Sequence, residues 1–313
     1  MNEKIVFMGT PEFAANVLEG LLQANYNVVG VVTQADKKVG RKQILTPSPV
    51  KEVGLKYNLP VFTPIRIKED YQNILDLEPD LIITCAYGQF IPLELIEYPK
   101  YKSINTHGSL LPKYRGGAPI QWSIINGEEE TGISIIYMSK AMDAGDVLKT
   151  RTIKIEREDT NATMFKKLSD VARDLLLDFL PDFFKGNFER VPQVESEATF
   201  AYNLSKADEY INFNRDVKAV YNHIRGLLDN PGAYSVINDK KLKFMKVDYE
   251  EKTDTDPKVF KGLENNYLRI DCQNGFIKVF EIKPEGKNTM DAKSFFNGVG
   301  KSLVNLEFKE TYE

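Results

Sequence analysis

Asn105 and His107 end an apolar stretch that runs into a loop rich in proline and glycine, and His107 is one of only two histidines in the chain. If residues 103–107 are extended, both side chains leave the same face of the strand, because side chains alternate with a period of two. One reacting group can then contact both. An imidazole in such a position suits proton transfer near neutral pH, so this stretch indicates a reactive site.

A carboxylate, Asp143, follows a second apolar strand predicted over residues 133–138. If both strands belong to a parallel sheet, their carboxyl ends meet at one edge, where open α/β folds bind ligands. The three side chains would then form one site. The residues alone also allow an alternative, in which Asp143 is a turn residue near a glycine and His107 is a hydrogen-bonded core histidine.

The elements that position these residues alternate between strand and helix. An apolar run at 4–8 ends at Gly9, and apolar residues then recur at helical spacing up to Leu22, with Thr10 predicted to cap that helix. Further strands are predicted at 28–33, 61–62, 81–85 and 103–105. The first half is therefore predicted to be a Rossmann-like α/β domain with a mostly parallel sheet. Gly9 lacks the later glycines of a dinucleotide-binding turn, so no NAD site is expected.

The second half changes in style. Periodicity is lost from 186 to 208, which predicts a connection over the surface, and an amphipathic helix follows at 217–224. Alternating apolar runs then predict short strands at 233–237, 242–249, 267–272 and 276–282. Such a succession indicates a small β-barrel or sandwich.

Composition limits the class of protein. The 313 residues are 42% apolar and 27% charged, which is typical of a soluble chain with two domains. The net charge of -4 gives no overall basic field, so RNA contacts would have to come from local patches. Two cysteines and two histidines are too few and too scattered for zinc, so no metal is expected. Without a long apolar segment or signal-peptide pattern, a cytoplasmic protein with no membrane contact is expected.

The motif around His107 resembles a known family. The run HGSLLPKYRGGAPI at 107–120, followed by TGIS at 131–134 and Asp143, is similar to the folate-dependent formyltransferases. Within that family, residues 5–14 and 46–51 are similar to the branch that acts on methionyl-tRNA, and the likeness continues to the segments at 230–234 and 283–287. It covers nearly the whole chain.

The resemblance implies both a fold and a reaction. It implies a Rossmann-like catalytic domain at 1–187, a linker at 188–208 and an OB-like tRNA-binding domain at 209–313. The reaction would be transfer of a formyl group from 10-formyltetrahydrofolate, as co-substrate, to the methionine α-amine of initiator Met-tRNA. No metal is required for this reaction. The protein is expected to be a monomer.

Matched residue by residue, the resemblance makes Asn105, His107 and Asp143 the catalytic residues. Asn105 and His107 would donate hydrogen bonds to the oxyanion that forms as the amine attacks. Asp143 would orient the imidazole and help the amine proton move toward the leaving folate nitrogen.

The resemblance also assigns two binding surfaces. Folate would contact Ser109, Leu110, Leu111, Pro112, Cys85, Ala86, Tyr87, Gly88, Ile91 and Lys140. The tRNA substrate would contact Gly9, Thr10, Pro11, Phe13, Lys37, Lys38, Arg41, Lys42, Lys241 and Lys243. Taken alone, Leu110 and Leu111 would be ordinary core residues and Cys85 a buried, inert thiol.

The basic segments also have simpler interpretations. A charge run such as residues 37–42 is usually a solvated loop, although phosphate contacts fit the family. Lys241 and Lys243 share one face of a predicted strand, where lysines could equally protect an exposed edge. The loop before Asp143 departs from the family pattern, since Ala141 stands where glycine is usual and a residue there is less free to adopt a positive φ.

Two alternative functions remain open at this point. A formyltransferase for a sugar-nucleotide amine shares the folate motif, but the basic run and residues 46–51 argue against it. An RNA-binding relative without transferase activity would not need the complete set of Asn105, His107 and Asp143.

Overall fold

The computed structural model describes residues 2–40 and 42–312. Arg41, one of the predicted tRNA contacts, lies outside the described residues. The chain divides into two compact units. The first comprises Met1–Pro119, Thr131–Ile153 and Phe165–Tyr202, and the second comprises Ile120–Glu130, Lys154–Met164 and Asn203–Glu313. Each unit is discontinuous in sequence. The predicted domain bounds of 1–187 and 209–313 and the predicted linker at 188–208 stay predictions.

The first unit is built on a sheet of seven strands in the order β5-β2-β1-β6-β7-β8-β9. Strands β1 to β9 are Ile5–Gly9, Val28–Val32, Lys37–Val39, Ile44–Thr46, Val61–Phe62, Leu81–Cys85, Ser103–His107, Glu130–Tyr137 and Val147–Lys154. Helices α1 to α6 are Glu12–Gln23, Pro49–Lys56, Gln72–Leu75, Leu93–Glu97, Pro119–Ile125 and Asn161–Lys185. Of these, α5 belongs almost wholly to the second unit, and α6 begins in the second unit and continues in the first. The predicted α/β fold is confirmed.

Burial explains the central strands. Every residue of β1 and β6 is buried, and both strands are almost entirely apolar, as parallel strands covered on both faces should be. The N-cap residue of α1 is Pro11, whose side chain has no acceptor, so the helix starts without a side-chain cap. The predicted helix cap at Thr10 is therefore wrong, and the Thr10 hydroxyl instead donates to the Tyr87 carbonyl at 2.9 Å.

The sheet is parallel except toward one edge. Strands β2, β1, β6 and β7 run parallel, whereas β8 pairs antiparallel with β7, placing Ser134 opposite His107 and Tyr137 opposite Ile104. The end of β8 therefore lies beside the start of β7. The expectation that Asp143 reaches Asn105 and His107 through parallel carboxyl ends is wrong, and the loop after β8 must instead fold back.

The second unit is an antiparallel sheet in the order β10-β11-β14-β13-β12, with β15 paired to β14. Its strands β10 to β15 are Tyr234–Ile237, Lys240–Glu251, Phe260–Glu264, Tyr267–Cys272, Gly275–Pro284 and Met290–Asp291, and its helices are α7 at Val217–Leu227 and α8 at Ala292–Gly298. Phe308 forms a bridge with Ile237, and Glu307 forms one with Val259, so the chain end joins the two outer strands. The predicted succession of short antiparallel strands, expected to form a small β-barrel or sandwich, is therefore present as one sheet whose two outer strands are both bonded to this segment.

Helix α7 supplies the apolar face that packs on this sheet. Asp216 caps its N-terminus by accepting from the amides of Lys218 and Ala219, and Val217, Val220 and Ile224 are buried in the apolar core of the second unit. Among the described residues, none of the helices is both long enough and apolar enough to cross a membrane.

Candidate active site

Asn105, His107 and Asp143 lie together in the first unit. Asn105 Nδ2 donates to Asp143 Oδ1 at 3.3 Å, and His107 Nδ1 lies 3.6 Å from Asp143 Oδ2. The His107 side chain is buried, whereas the carboxylate of Asp143 keeps 15% of its surface exposed. The convergence expected from the sequence is therefore present, although the loop reaches it by a different route.

The amide of Asn105 is held in one orientation. Thr84, on the neighbouring strand β6, donates its hydroxyl to Asn105 Oδ1 at 2.8 Å, which leaves Nδ2 as the donor toward Asp143. An amide nitrogen carries two hydrogens, and one of them is used by Asp143. The second N–H can donate to a further oxygen, which is the type of group that oxyanion stabilisation requires.

Both ring nitrogens of His107 face hydrogen-bond acceptors. Nε2 is 2.9 Å from the carbonyl of Tyr114, which can only accept, so Nε2 carries a hydrogen. Nδ1 faces Asp143, and an imidazolium can donate to both partners at once. The Tyr114 carbonyl is itself fixed, because the amide of Tyr114 donates to Thr199 Oγ1 at 2.9 Å. The imidazole is therefore held in one orientation from both of its nitrogens.

Asp143 is held by its backbone as well as its side chain. Its φ of 52° lies in the left-handed region, and the amide of Gly116 donates to Oδ2 at 3.0 Å. Gly145 follows closely, and a Cβ on it would overlap the carbonyl oxygen of Tyr137. Ala141 is not among the residues with a positive φ, so alanine in place of the usual glycine causes no backbone strain here. The strained residue of the loop is the aspartate itself.

The predicted folate wall is a braced turn with apolar side chains at its surface. Ser109 Oγ donates to the Lys113 carbonyl at 2.7 Å, and Ser134 Oγ donates to the Ser109 carbonyl at 2.7 Å. The Leu111–Pro112 peptide bond is cis. Leu110, Leu111 and Pro112 are all half-buried, so each presents part of an apolar side chain at the surface. This arrangement fits a flat ring system.

The segment predicted to lie near the pterin turns sharply after β6. Ala86 and Gly88 are exposed and have φ of 47° and 86°, while the Tyr87 carbonyl accepts from Thr10 Oγ1 and from Gln34 Nε2. Burial raises the pKa of the Cys85 thiol to about 12, so this thiol is protonated and inert near neutral pH. Ile91 is half-buried and Lys140 is exposed.

The predicted tRNA contacts near the start of the chain comprise two buried residues and two half-buried ones. Gly9 is buried, and a Cβ on it would lie 2.6 Å from that of Ala14, so only glycine fits. Phe13 is buried with its ring 6.3 Å from that of Phe165, which places it in the core. Thr10 and Pro11 are half-buried. A direct contact from Phe13 to a substrate would therefore need the core to open.

The basic run forms a hairpin of β3 and β4. Lys37, Lys38 and Lys42 are exposed on it, together with Val39, Ile44 and Leu45, which are 55%, 61% and 63% exposed. Its base is fixed by a hydrogen bond of 2.6 Å between the buried hydroxyls of Thr33 and Ser48, and by an ion pair between Lys51 and Asp36. Exposed apolar residues flanked by cations are typical of a surface that binds a partner.

The two predicted lysine contacts of the second unit have partners within that unit. Lys241 Nζ is 3.6 Å from the ring centroid of Tyr234, a cation–π contact, and Lys243 Nζ donates to the Pro231 carbonyl at 2.9 Å. Desolvation by burial lowers the pKa of Lys243. RNA binding by these lysines stays a prediction.

Three residues that support the site were not identified from the sequence. Thr84, Tyr114 and Gln193 orient the trio, and Gln193 lies in the segment that was predicted to be a surface connection. That segment is mostly exposed, and it also bonds to the loop after β7, where Arg115 N donates to the Thr199 carbonyl at 2.8 Å. Only Tyr114 lies inside a motif that the sequence offers.

Comparisons with known proteins agree with this architecture. Residues 3–180 match the family described as "Formyl transferase", and residues 203–300 match "Formyl transferase, C-terminal domain". The chain is 47% identical over 304 residues to the methionyl-tRNA formyltransferase of Ligilactobacillus salivarius, covering 96% of each chain. It is 48% identical over 309 residues to that of Lactiplantibacillus plantarum, covering 97% of this chain and 98% of the relative.

A solved structure shares the fold at low sequence identity. The N-formyltransferase from Helicobacter canadensis, solved with folinic acid and dTDP-3-aminofucose, superposes with a TM-score of 0.69 at 20% identity, covering 89% of this chain and 99% of the other. At that identity the likeness concerns the fold alone.

Proposed function

The chain belongs to the methionyl-tRNA formyltransferases, and from this we propose that it transfers a formyl group from 10-formyltetrahydrofolate to the methionine α-amine of initiator Met-tRNA. The observation that carries the proposal is the trio of Asn105, His107 and Asp143, joined by distances of 3.3 Å and 3.6 Å around one carboxylate. An amide donor, an imidazole and a carboxylate are the groups that acyl transfer to an amine requires.

The folate co-substrate supplies an activated formyl group attached to nitrogen. In this chain, Leu110, Leu111 and Pro112 present half-buried apolar surface beside the trio, and the exposed backbone around Gly88 offers polar groups. This combination of apolar surface with a few polar groups is the usual lining for a flat heterocycle. The residues therefore fit the co-substrate.

The trio divides the work of the transfer. As the amine nitrogen bonds to the formyl carbon, negative charge grows on the formyl oxygen, and Asn105 Nδ2 donates its remaining N–H to it. The bond from the formyl carbon to the folate nitrogen then breaks. The amine loses one proton and the departing folate nitrogen gains one. The pair of His107 Nδ1 and Asp143, 3.6 Å apart, carries that proton, with the partly exposed carboxylate as the outer group of the pair. The products are a formamide and the N–H form of the folate.

A direct assay tests the substrate. Purified protein would be incubated with labelled 10-formyltetrahydrofolate and, separately, with initiator Met-tRNA, elongator Met-tRNA and amino-sugar nucleotides. We expect label on the initiator alone. Label on a sugar amine would overturn the tRNA assignment while keeping the chemistry of the trio, and tRNA binding without any formyl transfer would indicate an inactive RNA-binding relative.

Initiator specificity, a monomeric state and a cytoplasmic location complete the proposal. A relative named for methionyl-tRNA supports a tRNA substrate, and the exposed cationic hairpin with Lys38 and Lys42 supports phosphate contacts. Light scattering of the purified protein tests the monomer, since a mass of twice the 35.6 kDa chain would contradict it.

A further inference from the structure

A segment after α6 bonds to two loops of the candidate site. We call residues 191–201 the strap. At one end Val191 forms a bridge with Val147, and at the other Phe200 forms a bridge with Arg115. The Ala201 amide donates to the Arg115 carbonyl at 2.7 Å. Because both ends are bonded to strands or loops of the site, the strap is a fixed part of the first unit.

One strap residue binds the backbone of the catalytic loop. Gln193 Nε2 donates to the Asp143 carbonyl and to the Gly145 carbonyl, each at 2.7 Å. Gln193 Oε1 accepts from Arg115 Nε at 3.0 Å. The amide thus uses both of its hydrogens and its oxygen, so its orientation is fixed.

Arg115 is itself held in place on the side away from Gln193. Its side chain is 3% exposed and pairs with Glu195, with Nη1 donating to Oε1 at 3.0 Å and Nη2 lying 3.0 Å from Oε2. The next residue, Gly116, donates its amide to Asp143 Oδ2. Arg115 and Gly116 therefore hold Asp143 at two points. The Gly116 amide bonds the carboxylate directly, and Arg115 acts on the carbonyl of Asp143 through Gln193.

We propose that Gln193 is a positioning residue for formyl transfer, holding Asp143 in its left-handed conformation with an amide that Arg115 orients. The inference rests on the proposed function. A left-handed φ of 52° is unfavourable for a residue with a side chain, so the loop needs bonds that stabilise it. Two hydrogen bonds to carbonyls on either side of Ala144 supply that stabilisation. Without them the carboxylate would move relative to His107 and Asn105.

Gln193→Met removes both donors while keeping the length of the side chain. We expect kcat for initiator Met-tRNA to fall on the order of 10- to 100-fold, the scale of a small misplacement of a reacting group, with each KM within about twofold of wild type. Gln72 is a matched control, because its amide lies on an exposed helix and bonds Asp76. Gln72→Met should retain wild-type turnover.

Gln193→Glu distinguishes positioning from general structural support. The glutamate keeps an oxygen for Arg115 Nε but faces the two loop carbonyls without a hydrogen to donate. Its kcat should therefore fall at least as far as that of Gln193→Met, with each KM again within about twofold of wild type. A residue that acts only by pairing with Arg115 would keep wild-type kcat in Gln193→Glu. Thermal unfolding of each variant checks folding.

The outcomes separate the two claims. If the wild type turns over and kcat is unaffected in Gln193→Met or in Gln193→Glu, the role of Gln193 alone is overturned. Absence of wild-type turnover with Met-tRNA would overturn the proposed function, and the inference with it.

Discussion

Each ring nitrogen of His107 faces a hydrogen-bond acceptor. The Tyr114 carbonyl fixes one nitrogen as a donor and Asp143 faces the other. These two contacts fix the orientation of the ring beside Asp143. At the residue scale, substitution of His107 decides between a role in the chemistry and the alternative of a structural core histidine.

His107→Ala should lower kcat by on the order of 10²-fold or more, since a positioned acid–base group contributes about that much. Binding of tRNA should change little, because the side chain is buried. Steady-state kinetics and a filter-binding measurement test both statements. His223→Gln, in the second unit, is the matched histidine control and should keep turnover near neutral pH. Near-normal kcat in His107→Ala would remove His107 from the chemistry.

The loop after β8 acts as one element, because its shape depends on a close backbone approach. Gly145 packs against the Tyr137 carbonyl with no room for a Cβ, and the amide of Tyr137 donates to the Asp146 carbonyl at 3.0 Å. The loop therefore folds back beside β8, which brings Asp143 to β7. This geometry, and not a parallel sheet edge, assembles the site.

Gly145→Ala should move this loop and with it Asp143. We expect overpacking to cost about 1–3 kcal/mol of unfolding free energy and kcat to fall by about tenfold or more. Denaturant unfolding and kinetics measure the two effects. Gly298→Ala is the control, because nothing lies within 4 Å of a Cβ there and its φ is not in the positive range. Wild-type kcat in Gly145→Ala would show that the loop tolerates the shift.

The β3–β4 hairpin is the element that we assign to tRNA. Arg41→Ala combined with Lys42→Ala should weaken tRNA binding more than folate binding. It should also reduce the slope of log K against log salt by roughly 0.7–0.9 for each phosphate that the variant no longer binds. Binding titrations at several salt concentrations measure the slope. Lys166→Ala with Lys185→Ala removes two exposed lysines of α6 and should leave the slope unchanged. An unchanged slope in the hairpin variant would make that run an ordinary solvated loop.

At the scale of the whole molecule, the buried imidazole of His223 makes the stability of the fold depend on pH. Burial lowers the pKa of His223 from 6.5, and its Nε2 is 2.7 Å from the Asp208 carbonyl while Nδ1 is 3.4 Å from Arg215. At a pH between the folded and the unfolded pKa of His223, the unfolded chain therefore binds a proton there and the folded chain does not. Stability is full above the unfolded pKa and falls as pH drops below it.

His223→Gln should flatten that dependence, because glutamine does not titrate. The thermal midpoint of the full-length wild type should fall more steeply than that of the variant as pH drops from about 7 toward about 5. The difference between the two curves isolates this residue from the carboxylates that titrate in both proteins. Parallel curves would contradict the assignment.

The sequence by itself determined the elements and the chemical groups of the site. Strands β1 and β6 follow from apolar runs, α7 from its amphipathic spacing, and the extended stretch at β7 from the residues around Asn105 and His107. These features are local, since burial and periodicity are written in neighbouring residues. The motif from 107 to 120 carried the family resemblance for the same reason.

Only the tertiary structure decided how these parts meet. The antiparallel direction of β8, the hydroxyl of Thr10 turned to Tyr87, and the bonds of Gln193 to the Asp143 loop all join residues distant in sequence. Gln193 lies 50 positions from Asp143, in a segment without periodicity, so no local pattern marks it. Hydrogen bonds across such separations depend on which surfaces the packed core brings together, and that is a property of the whole chain.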